Sequence, residues 1–426
     1  MMEDFARIKR VERHQAVRVL EALADTPAVL VTGPRQVGKS TLAHELGIQH
    51  AAMSEATLDD VPTRAAALSD PSGFVRDLAL PAVLDEVQRA PELLYGIKQA
   101  IDERRLAGET VAGSFLLTGS TGIWDTLASP ESLAGRIERV WLWPLSQGEL
   151  AGRRERFIDA LFDGEPPRPS DVAPGREPIA RAVVLGGFPE IRDRSESRAQ
   201  RWFAEYLARV LDRDIRELAD VRRPADLLAL LRACAARAGA LVNIDGMLAD
   251  LGVPKSTGRR YYELLRRLYL VHEIPAWGTN LARAAVRRPK LVLCDSGLTA
   301  HLIGQSTARF ADEVDGRPGP GHLFESFVIV ELLKAAGWAA TDVAAFHWRD
   351  RAGREVDLLL ERRDGDVIAV ECKLSATVGR ADFRHLEHLR DQLGDRFRGG
   401  AVIHLGAATL PFGDRLWASP VSALWA

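Results

Sequence analysis

The chain has 426 residues, of which 46% are hydrophobic and 27% are charged, and its formal net charge at pH 7 is −3. These fractions are close to the averages of globular proteins, so they exclude a mainly disordered or fibrous chain. The charge excludes a polycation, and any nucleic-acid-binding surface must therefore be local. The cysteines Cys234, Cys294 and Cys372 form no C-x-x-C pair, which excludes a zinc ribbon and a disulfide framework and indicates a reducing compartment.

No apolar run approaches the roughly 18 residues that a membrane span requires. We therefore expect a cytoplasmic protein without a membrane partner. Only seven of the 56 basic residues are lysines. Because arginine is the default cation of this chain, each remaining lysine is informative, and Lys39 and Lys373 recur below.

Four short apolar runs alternate with helical stretches in the first third of the chain. Strands that are buried on both faces have this pattern, so we predict a parallel sheet flanked by helices. A polar stretch with several prolines over 152–178 predicts a loop or linker. The predicted strands are PAVLVTG (27–33), PAVLDE (81–86), SFLLTGS (114–120) and RVWLWPL (139–145).

The middle of the chain, over 198–270, has apolar residues at helical spacing. Within it, 242–274 predicts a helix, a turn with glycine, a second helix and a strand, which is the order of a helix-turn-helix or winged-helix module. The Gly/Pro cluster DGRPGPG at 315–321 predicts the next boundary. The last hundred residues predict a helix through FESFVIVELLKAAG and a β-hairpin that turns at Asp364 and Gly365.

A phosphate-binding loop is predicted directly after the first strand, because 33–40 matches G-x-x-x-x-G-K-[ST] between a strand and a helix. Its backbone N–H groups would turn towards the phosphates of ATP. Lys39 would reach the β and γ phosphates, and the Ser40 hydroxyl would bind Mg²⁺. The predicted nucleotide-binding residues are Gly33, Pro34, Arg35, Gln36, Val37, Gly38, Lys39, Ser40, Thr41 and Asp85.

An acidic pair ends the second predicted strand. Asp85 would hold the Mg²⁺ shell, and Glu86 would orient the attacking water. Thr118, Gly119 and Ser120 end the third strand, where they would sense the γ-phosphate or the water, or would form a structural turn. Arg136 would be an arginine finger, an intramolecular γ-phosphate sensor or a surface residue; a finger supplied in trans would require a homo-oligomer.

Taken together, an ordered set of segments resembles the bacterial and archaeal AAA-type ATPases that carry a C-terminal domain of unknown function. The resemblance extends from about Val19 to about Ser375. It implies an ATPase core at 1–195, a helical and winged-helix-like region at 196–314 and a restriction-endonuclease-like α/β domain at 315–426, and it assigns the nucleotide roles to the same residues. The segments are GPRQVGKST, LDEVQRAPELL, LLTGS, ESLAGR, WPLSQGEL, GGFPEI, LYLVHEI and LCDSGLTAHLIG.

Two carboxylates and a lysine come together in the predicted C-terminal hairpin. Glu371 and Lys373 share one face of a strand, and the turn brings Asp357 opposite or nearly opposite them. Such a set can hold Mg²⁺ or Mn²⁺ and stabilise charge on a scissile phosphate. D-x(13)-E-x-K resembles the PD-(D/E)xK nuclease signature, although valine precedes Asp357 where that signature has proline. An ordinary surface carboxylate–lysine pair is the alternative.

The preceding helix provides a further acid in that signature. Glu325 is the natural candidate for a third metal ligand, and Glu331 is a weaker one. The tail therefore predicts metal ligands at Glu325, Asp357 and Glu371 and catalytic roles for Asp357, Glu371 and Lys373, whether or not the site cuts.

Two basic segments are candidate nucleic-acid contacts. The segment 255–267 carries Arg259, Arg260, Arg266 and Arg267 and has the composition of a recognition helix, but a solvated helix face explains it equally well. His347, Arg349 and Arg351 would contact phosphate or would be structural.

These predictions combine into an ATP-hydrolysing protein coupled to a metal-dependent nuclease-like domain that acts on nucleic acid, with DNA favoured. The alternative is an ATP-dependent switch whose winged helix and inactive tail bind DNA or protein without cleavage. A transcription factor that happens to hydrolyse ATP is a third possibility.

Overall fold

The computed structural model describes residues 11–120, 134–169, 175–211, 223–278, 288–312 and 320–426. Its contacts divide the chain into two compact units. The first unit contains 13–144 and 267–269, and the second contains the residues before 13 together with 145–266 and 270–426. In the described part of the chain, no helix combines the length and the apolar character needed to cross a membrane.

A five-stranded parallel sheet forms the first unit, with the strand order β2-β3-β4-β1-β5. All four predicted strands are confirmed, whereas β2 was missed because its sequence, SEAT, has no apolar run. The strands are β1 (Ala28–Thr32), β2 (Ser54–Thr57), β3 (Ala82–Asp85), β4 (Phe115–Gly119) and β5 (Ile137–Trp141). The helices are α1 (Ala16–Asp25), α2 (Lys39–Leu46), α3 (Val61–Ser69), α4 (Pro71–Arg76) and α5 (Leu93–Leu106).

This sheet is buried because every residue of β1 and β4 is inaccessible to solvent or nearly so. Helix α5 packs its apolar side, including Leu94 and Ile97, into the same core. Since all strands are parallel, the carboxyl ends of β1, β3 and β4 lie along one edge. The residues that follow these strands are therefore brought together.

The second unit holds the remaining helices and a six-stranded mixed sheet. Its sheet order is β12-β13-β11-β10-β9-β8, in which β10, β11 and β13 are parallel and the other pairs are antiparallel. The sheet strands are β8 (Val343–Arg349), β9 (Glu355–Arg362), β10 (Val367–Cys372), β11 (Phe397–His404), β12 (Leu410–Pro411) and β13 (Leu416–Pro420). The predicted hairpin is confirmed, because β9 and β10 pair around Asp364 and Gly365, with Gly365 at a φ of 89°.

Helices cover both faces of the mixed sheet. Helices α7 and α15 pack on one face with Leu358 and Val370, and α16 packs on the other with Leu359 and Ala369. The helices of the second unit are α6 (Gln147–Ala151), α7 (Phe157–Phe162), α8 (Arg176–Leu185), α9 (Glu196–Arg209), α10 (Pro224–Ala236), α11 (Ile244–Asp250), α12 (Lys255–Arg267), α13 (Ser296–Leu302), α14 (Thr307–Ala311), α15 (Pro320–Ala335) and α16 (Arg384–Leu393).

Helices α10 to α12 are followed by a two-stranded antiparallel ribbon of β6 (Val271–Ile274) and β7 (Lys290–Leu293). The predicted order of helix, turn, helix and strand is confirmed. Gly258 allows α12 to approach α11, because a β-carbon there would lie 2.1 Å from a methyl group of Leu248. The identity of this region as a winged helix stays a prediction.

The boundary between the units falls after Pro144, whereas the sequence predicted a boundary at 195. The reason is local: Leu145 donates its N–H to Gly187 O at 2.7 Å and accepts a hydrogen bond from Lys334 Nζ at 2.9 Å. These contacts attach 145–195 to the second unit. The predicted boundary at 314/315 lies outside the described residues.

Candidate functional site

Two glycines shape the loop that follows β1. A β-carbon on Gly33 would lie 2.1 Å from Leu142 O, and the φ of Gly33 is 155°, so only glycine fits there. Gly38 begins α2 in the left-handed conformation with a φ of 95°. The chain therefore turns tightly from the strand into a helix N-terminus, as a phosphate-binding loop requires.

Lys39 lies inside this loop. It is only 4% exposed, and its Nζ donates hydrogen bonds to Gly33 O at 3.1 Å and to Pro34 O at 2.7 Å. Backbone carbonyls are dipoles without a full negative charge, so these two hydrogen bonds are compatible with an anion that approaches the ammonium. A phosphate is a suitable anion, because the helix N-terminus adds a positive partial charge at the same place.

Arg13 holds the loop from outside, which the sequence analysis missed. Its guanidinium donates to Val37 O at 2.6 Å and to Trp143 O at 2.7 Å. Arg13 is 8% exposed and therefore contributes a second, buried cation next to the loop. No motif marks it, because it lies 20 residues before the first loop glycine in an arginine-rich chain.

The predicted magnesium ligands lie at suitable positions for this role. Ser40 is exposed in the first turn of α2. Asp85 ends β3, and its carboxylate accepts hydrogen bonds from Thr118 Oγ1 at 2.5 Å and from Thr57 Oγ1 at 3.4 Å. A hydroxyl and a carboxylate are hard oxygen donors that suit Mg²⁺ with a nucleotide. These residues therefore fit the cofactor that the sequence predicts.

Glu86 is held by several donors. Its backbone adopts the left-handed conformation, with a φ of 59°, and its N–H donates to Thr118 Oγ1 at 3.1 Å. Its carboxylate accepts hydrogen bonds from Ser120 Oγ at 3.1 Å and from Gln88 Nε2. Arg35 Nη1 lies 3.9 Å from the same carboxylate. A non-glycine residue in this conformation is uncommon and is often found at functional sites.

Thr118 and Ser120 thus contact the acidic pair directly. Sequence reasoning left them between sensors and a structural turn. The structure gives each hydroxyl a hydrogen bond to a carboxylate of the pair, with Asp85 for Thr118 and Glu86 for Ser120. Gln88, which was missed, connects the two ends of this network, because its Oε1 accepts the Ser120 N–H at 3.2 Å.

The structure does not bring Arg136 together with the loop, and its role as an arginine finger or γ-phosphate sensor stays a prediction. Arg136 immediately precedes β5, and its carbonyl accepts the N–H of Ala28, the first residue of β1. The loop follows the last residue of β1, so Arg136 lies at the opposite end of the strand, roughly 16 Å away at 3.3 Å per residue. Its guanidinium pairs with Asp102 at 2.8 and 3.1 Å instead. Residues 131–133 before it lie outside the described residues.

A second concentration of charge lies in the second unit and is called the carboxylate cluster here. It consists of Lys290 on β7, Glu325 on α15 and Glu355 and Asp357 on β9. Lys290 Nζ lies 2.6 Å from Glu325 Oε1, 3.1 Å from Asp357 Oδ1 and 3.4 Å from Glu355 Oε1. The Lys290 side chain is fully buried. The sequence analysis missed Lys290, although a lysine in an arginine-rich chain was a signal for it.

Burial and neighbouring charges shift the pKa values of the two acids Glu325 and Asp357 in opposite directions. Burial and then Asp357 raise the pKa of Glu325 to about 8, although Lys290 opposes the shift. Burial alone would raise the pKa of Asp357, but Lys290 and the Cys372 N–H, which donates to Asp357 Oδ2 at 2.9 Å, hold it below its usual value. The carboxylates raise the pKa of Lys290 despite its burial. Asp357 is therefore ionised, Glu325 holds its proton more tightly, and Lys290 stays charged.

Glu371 lies next to the cluster without joining it. It is 6% exposed, and its Oε1 makes no hydrogen bond. Burial and then the negative charge of Asp357 raise its pKa well above the usual range. His385 Nδ1 is 3.5 Å away but lies closer, at 2.8 Å, to Glu355 O. Lys373 is half-buried and directly follows β10.

The predicted metal site of Glu325, Asp357 and Glu371 is not formed. In the ranges that the structure describes, no three or more His, Cys, Asp or Glu side chains are arranged to hold a metal ion. The physical reason is Lys290, whose ammonium takes the position between Glu325 and Asp357. The weaker candidate Glu331 is also engaged, with Lys334 Nζ at 2.6 Å and the Gln147 N–H at 2.7 Å. These residues do not fit Mg²⁺ or Mn²⁺.

The cations of α12 leave both interpretations of this helix open, a recognition helix and a solvated face. Its apolar side, which includes Tyr261 and Leu265, is buried. Lys255 and Arg259 are 69% and 64% exposed, and both pair with Asp245 at 3.5 and 3.0 Å. These exposed cations are compatible with phosphate contacts as well as with a solvated face.

The basic residues of 347–351, in β8 and directly after it, divide similarly. His347 is 2% exposed and its Nε2 contacts Arg288 O at 3.1 Å, so it is structural. Arg349 pairs with Glu355 at 3.6 Å. Arg351 is exposed.

Comparisons with known proteins give three family matches along the chain. Residues 25–151 match an AAA domain, 176–309 match a domain of unknown function (DUF8612), and 320–424 match a second domain of unknown function (DUF4143). The last match agrees with the resemblance noted in the sequence.

Two mycobacterial relatives span nearly the whole chain. The uncharacterized proteins Mb2031c of Mycobacterium bovis and Rv2008c of Mycobacterium tuberculosis are each 28% identical over 421 residues, which is 97% of this chain and 84% of theirs. The Walker-type ATPase paby2304 of Pyrococcus abyssi is 18% identical with a TM-score of 0.38, over 70% of this chain and 97% of that one. The AAA match over residues 25–151 and the geometry of the loop together support a P-loop AAA ATPase domain in this part of the chain.

Proposed function

We propose that the protein binds ATP with Mg²⁺ at the loop of 33–41, hydrolyses it, and uses the nucleotide state to control a C-terminal unit that binds nucleic acid without cutting it. The observation that carries the ATPase part is the buried Lys39, which lies within a glycine-shaped loop. The acidic pair at Asp85 and Glu86 ends the strand two positions away in the sheet.

Each residue has a role that follows from its position. The backbone N–H groups of the loop and the N-terminus of α2 bind the phosphates, and Lys39 exchanges its carbonyl partners for phosphate oxygens. Ser40 and Asp85 hold Mg²⁺, which neutralises charge on the phosphates when it is bound. Glu86 accepts a proton from, or orients, the attacking water, and Ser120 and Gln88 fix its carboxylate.

A cation for the transferred phosphate is still needed. Arg136 lies at the end of the sheet opposite to the loop. Within one chain, Arg35 is therefore better placed, since its Nη1 is 3.9 Å from the Glu86 carboxylate. A second copy of the chain supplying Arg136 in trans is the homo-oligomeric version of the same proposal. ATP hydrolysis that rises steeply with protein concentration, and falls in Arg136→Ala, would favour the assembly.

Nucleic-acid binding, with DNA favoured, is proposed for the second unit. The support is the exposed pair Lys255 and Arg259 at the start of α12, whose shared partner Asp245 can be replaced by a phosphate. Cleavage is not part of the proposal. Metal-dependent cutting through Asp357, Glu371 and Lys373 would need a cation that Lys290 replaces.

The test combines two assays on the full chain. Phosphate release and the binding and cutting of single- and double-stranded DNA and RNA are measured with Mg²⁺ or Mn²⁺, with and without ATP. We expect Lys39-dependent hydrolysis, nucleic-acid binding that changes with ATP, and no cutting. The double variant Lys255→Ala/Arg259→Ala should weaken binding and reduce its salt dependence, with Lys98→Ala as the matched control. Hydrolysis that survives Lys39→Ala, or Asp357-dependent cutting, would overturn the respective part.

A further inference from the structure

We infer that the Lys290 ammonium is the resident cation of the carboxylate cluster and that it closes this cluster to Mg²⁺ and Mn²⁺. The inference deepens the proposed non-cutting role of the second unit. It predicts a latent divalent-cation site that is exposed by replacing one lysine.

The geometry of the ammonium supports this inference. Carboxylates from α15 and β9 meet around Nζ, and its distances of 2.6 and 3.1 Å to Glu325 and Asp357 are those of charge-assisted hydrogen bonds. Mg²⁺ binds such oxygens at about 2.0–2.1 Å and often uses one or two carboxylates. A divalent ion between Glu325 and Asp357 would therefore have to take the volume and the ligands of the ammonium.

Lys290 is fixed in this position by its backbone. It begins β7, pairs with Ile274 of β6, and forms a bridge with Leu241 on its other side. The chain that continues β6 pairs with the mixed sheet, because Trp277 donates its N–H to His347 O at 2.7 Å. The ribbon that carries Lys290 is thus attached to the sheet that carries Asp357.

A separate observation shows that the surroundings of the cluster offer a further carboxylate as a ligand for a cation. Oε1 of Glu371 is buried and makes no hydrogen bond. The register of β9 with β10 pairs Leu358 with Val370, and the next pair in the same register is Asp357 with Glu371. Without the lysine charge, Glu325, Asp357 and Glu371 would remain near one another, and the described basic groups closest to them would be His322, 3.9 Å from Glu325, and His385, 3.5 Å from Glu371.

The experiment measures Mn²⁺ binding to the nucleotide-free full chain by electron paramagnetic resonance. Wild type and Asp357→Asn should bind Mn²⁺ equally, because the cluster contributes no site in either. Lys290→Met keeps the apolar length of the side chain and removes its charge. It should gain one Mn²⁺ that binds at least about tenfold more tightly than any wild-type site, and Lys290→Met/Asp357→Asn should lose it.

Lys334→Met is the matched control. Lys334 is also buried, but it pairs with the single carboxylate of Glu331, so its replacement should create no Mn²⁺ site. If Lys290→Met unfolds, added Mn²⁺ should raise its thermal midpoint and leave that of wild type unchanged. Whether or not Lys290→Met folds, the comparison of Mn²⁺ binding between wild type and Asp357→Asn tests the inference.

Two results would overturn the inference: Mn²⁺ binding by wild type that depends on Asp357, or a folded Lys290→Met that binds no more Mn²⁺ than wild type. Nucleic-acid cutting is recorded on the same samples. Cutting that persists in Asp357→Asn would overturn the proposed non-cutting role and leave the inference on Lys290 intact, so the two failures are distinguishable.

Discussion

Two buried lysines, Lys39 in the first unit and Lys290 in the second, show how partners decide what a buried cation can do. Lys39 is 4% exposed and donates to two backbone carbonyls, Gly33 O and Pro34 O. Lys290 is fully buried and lies within 3.4 Å of three carboxylates. Both ammonium groups are buried, but the described partners of Lys39 are backbone carbonyls and those of Lys290 are carboxylates.

The difference is one of charge balance. The carbonyls that accept the hydrogen bonds of Lys39 are neutral dipoles, so an anionic ligand gains a strong partner there. Carboxylates satisfy both the hydrogen bonds and the charge of Lys290, so neither an anion nor a metal cation gains by entering. The partners of Lys39 therefore indicate a binding site, and those of Lys290 indicate a structural ion cluster.

The largest effect is expected from Lys290→Met. Breaking a buried pair from one side leaves charge without compensation, and the free energy of unfolding should fall by about 3–5 kcal/mol. Urea unfolding without divalent cations measures this. Adding Asp357→Asn to Lys290→Met should recover part of the loss, because it removes the charge that was stranded. Equal stability of Lys290→Met and wild type would show that Lys290 is not the counter-ion.

The nucleotide lysine should behave in the opposite way. Lys39→Ala removes a cation whose described hydrogen bonds go to backbone carbonyls, so the fold should be retained while ATP hydrolysis falls by a factor on the order of 100 to 1,000. Phosphate release and a thermal melt of the same sample test both halves. Lys98→Ala on α5 is the control and should leave hydrolysis unchanged. A strongly destabilised Lys39→Ala would make the two lysines alike and contradict the comparison.

The pH dependence of stability tests the protonation of the carboxylate cluster. An unfolded chain releases the Glu325 proton near the ordinary pKa of 4.5, whereas the folded chain releases it near 8. The stabilising contribution of the neutral carboxyl is therefore complete below about 4.5 and is lost as pH rises through 8. Glu325→Gln should reduce this decline in urea unfolding over the same range. Parallel curves for the two proteins would contradict the raised pKa.

Arg136→Ala should have the smallest effect. Its pair with Asp102 is partly exposed, so unfolding should become easier by only about 0.5–1 kcal/mol. ATP hydrolysis by the isolated chain should stay within about twofold of wild type, since Arg136 lies at the far end of β1. Assays at low protein concentration check this. A loss of hydrolysis at every concentration would return Arg136 to the nucleotide site of its own chain.

Local patterns explain what could be predicted from the sequence. The loop of 33–40 is one contiguous motif between a strand and a helix, and its glycines have the positive φ that the motif implies. The hairpin around Asp364 and Gly365 is similarly local, and its short turn sets the register of β9 and β10. The loop motif and the hairpin register depend on residues that are close in sequence, so both could be predicted correctly without knowledge of the fold.

Long-range contacts explain what was missed. Lys290 reaches Asp357 across 67 positions and belongs to a different strand ribbon, so no spacing rule connects them. The PD-(D/E)xK pattern identified three acids but not the cation that binds two of them. The place of Arg136 could not be predicted for a related reason, because the pairing of β5 with β1 decides which end of the sheet it occupies.

Helix α15 of the second unit contacts both the start of that unit at 145–147 and the carboxylate cluster. On α15, Glu331 accepts the Gln147 N–H and Lys334 donates to Leu145 O, while Glu325 of the same helix contacts Lys290. One of the points at which the chain passes between the units, at Pro144 and Leu145, is thus hydrogen-bonded to α15, six to nine residues, or roughly 9–14 Å, from Glu325. A displacement of residue 145 would therefore act on α15, which carries Glu325 of the carboxylate cluster, as well as on Gly187, which accepts the Leu145 N–H.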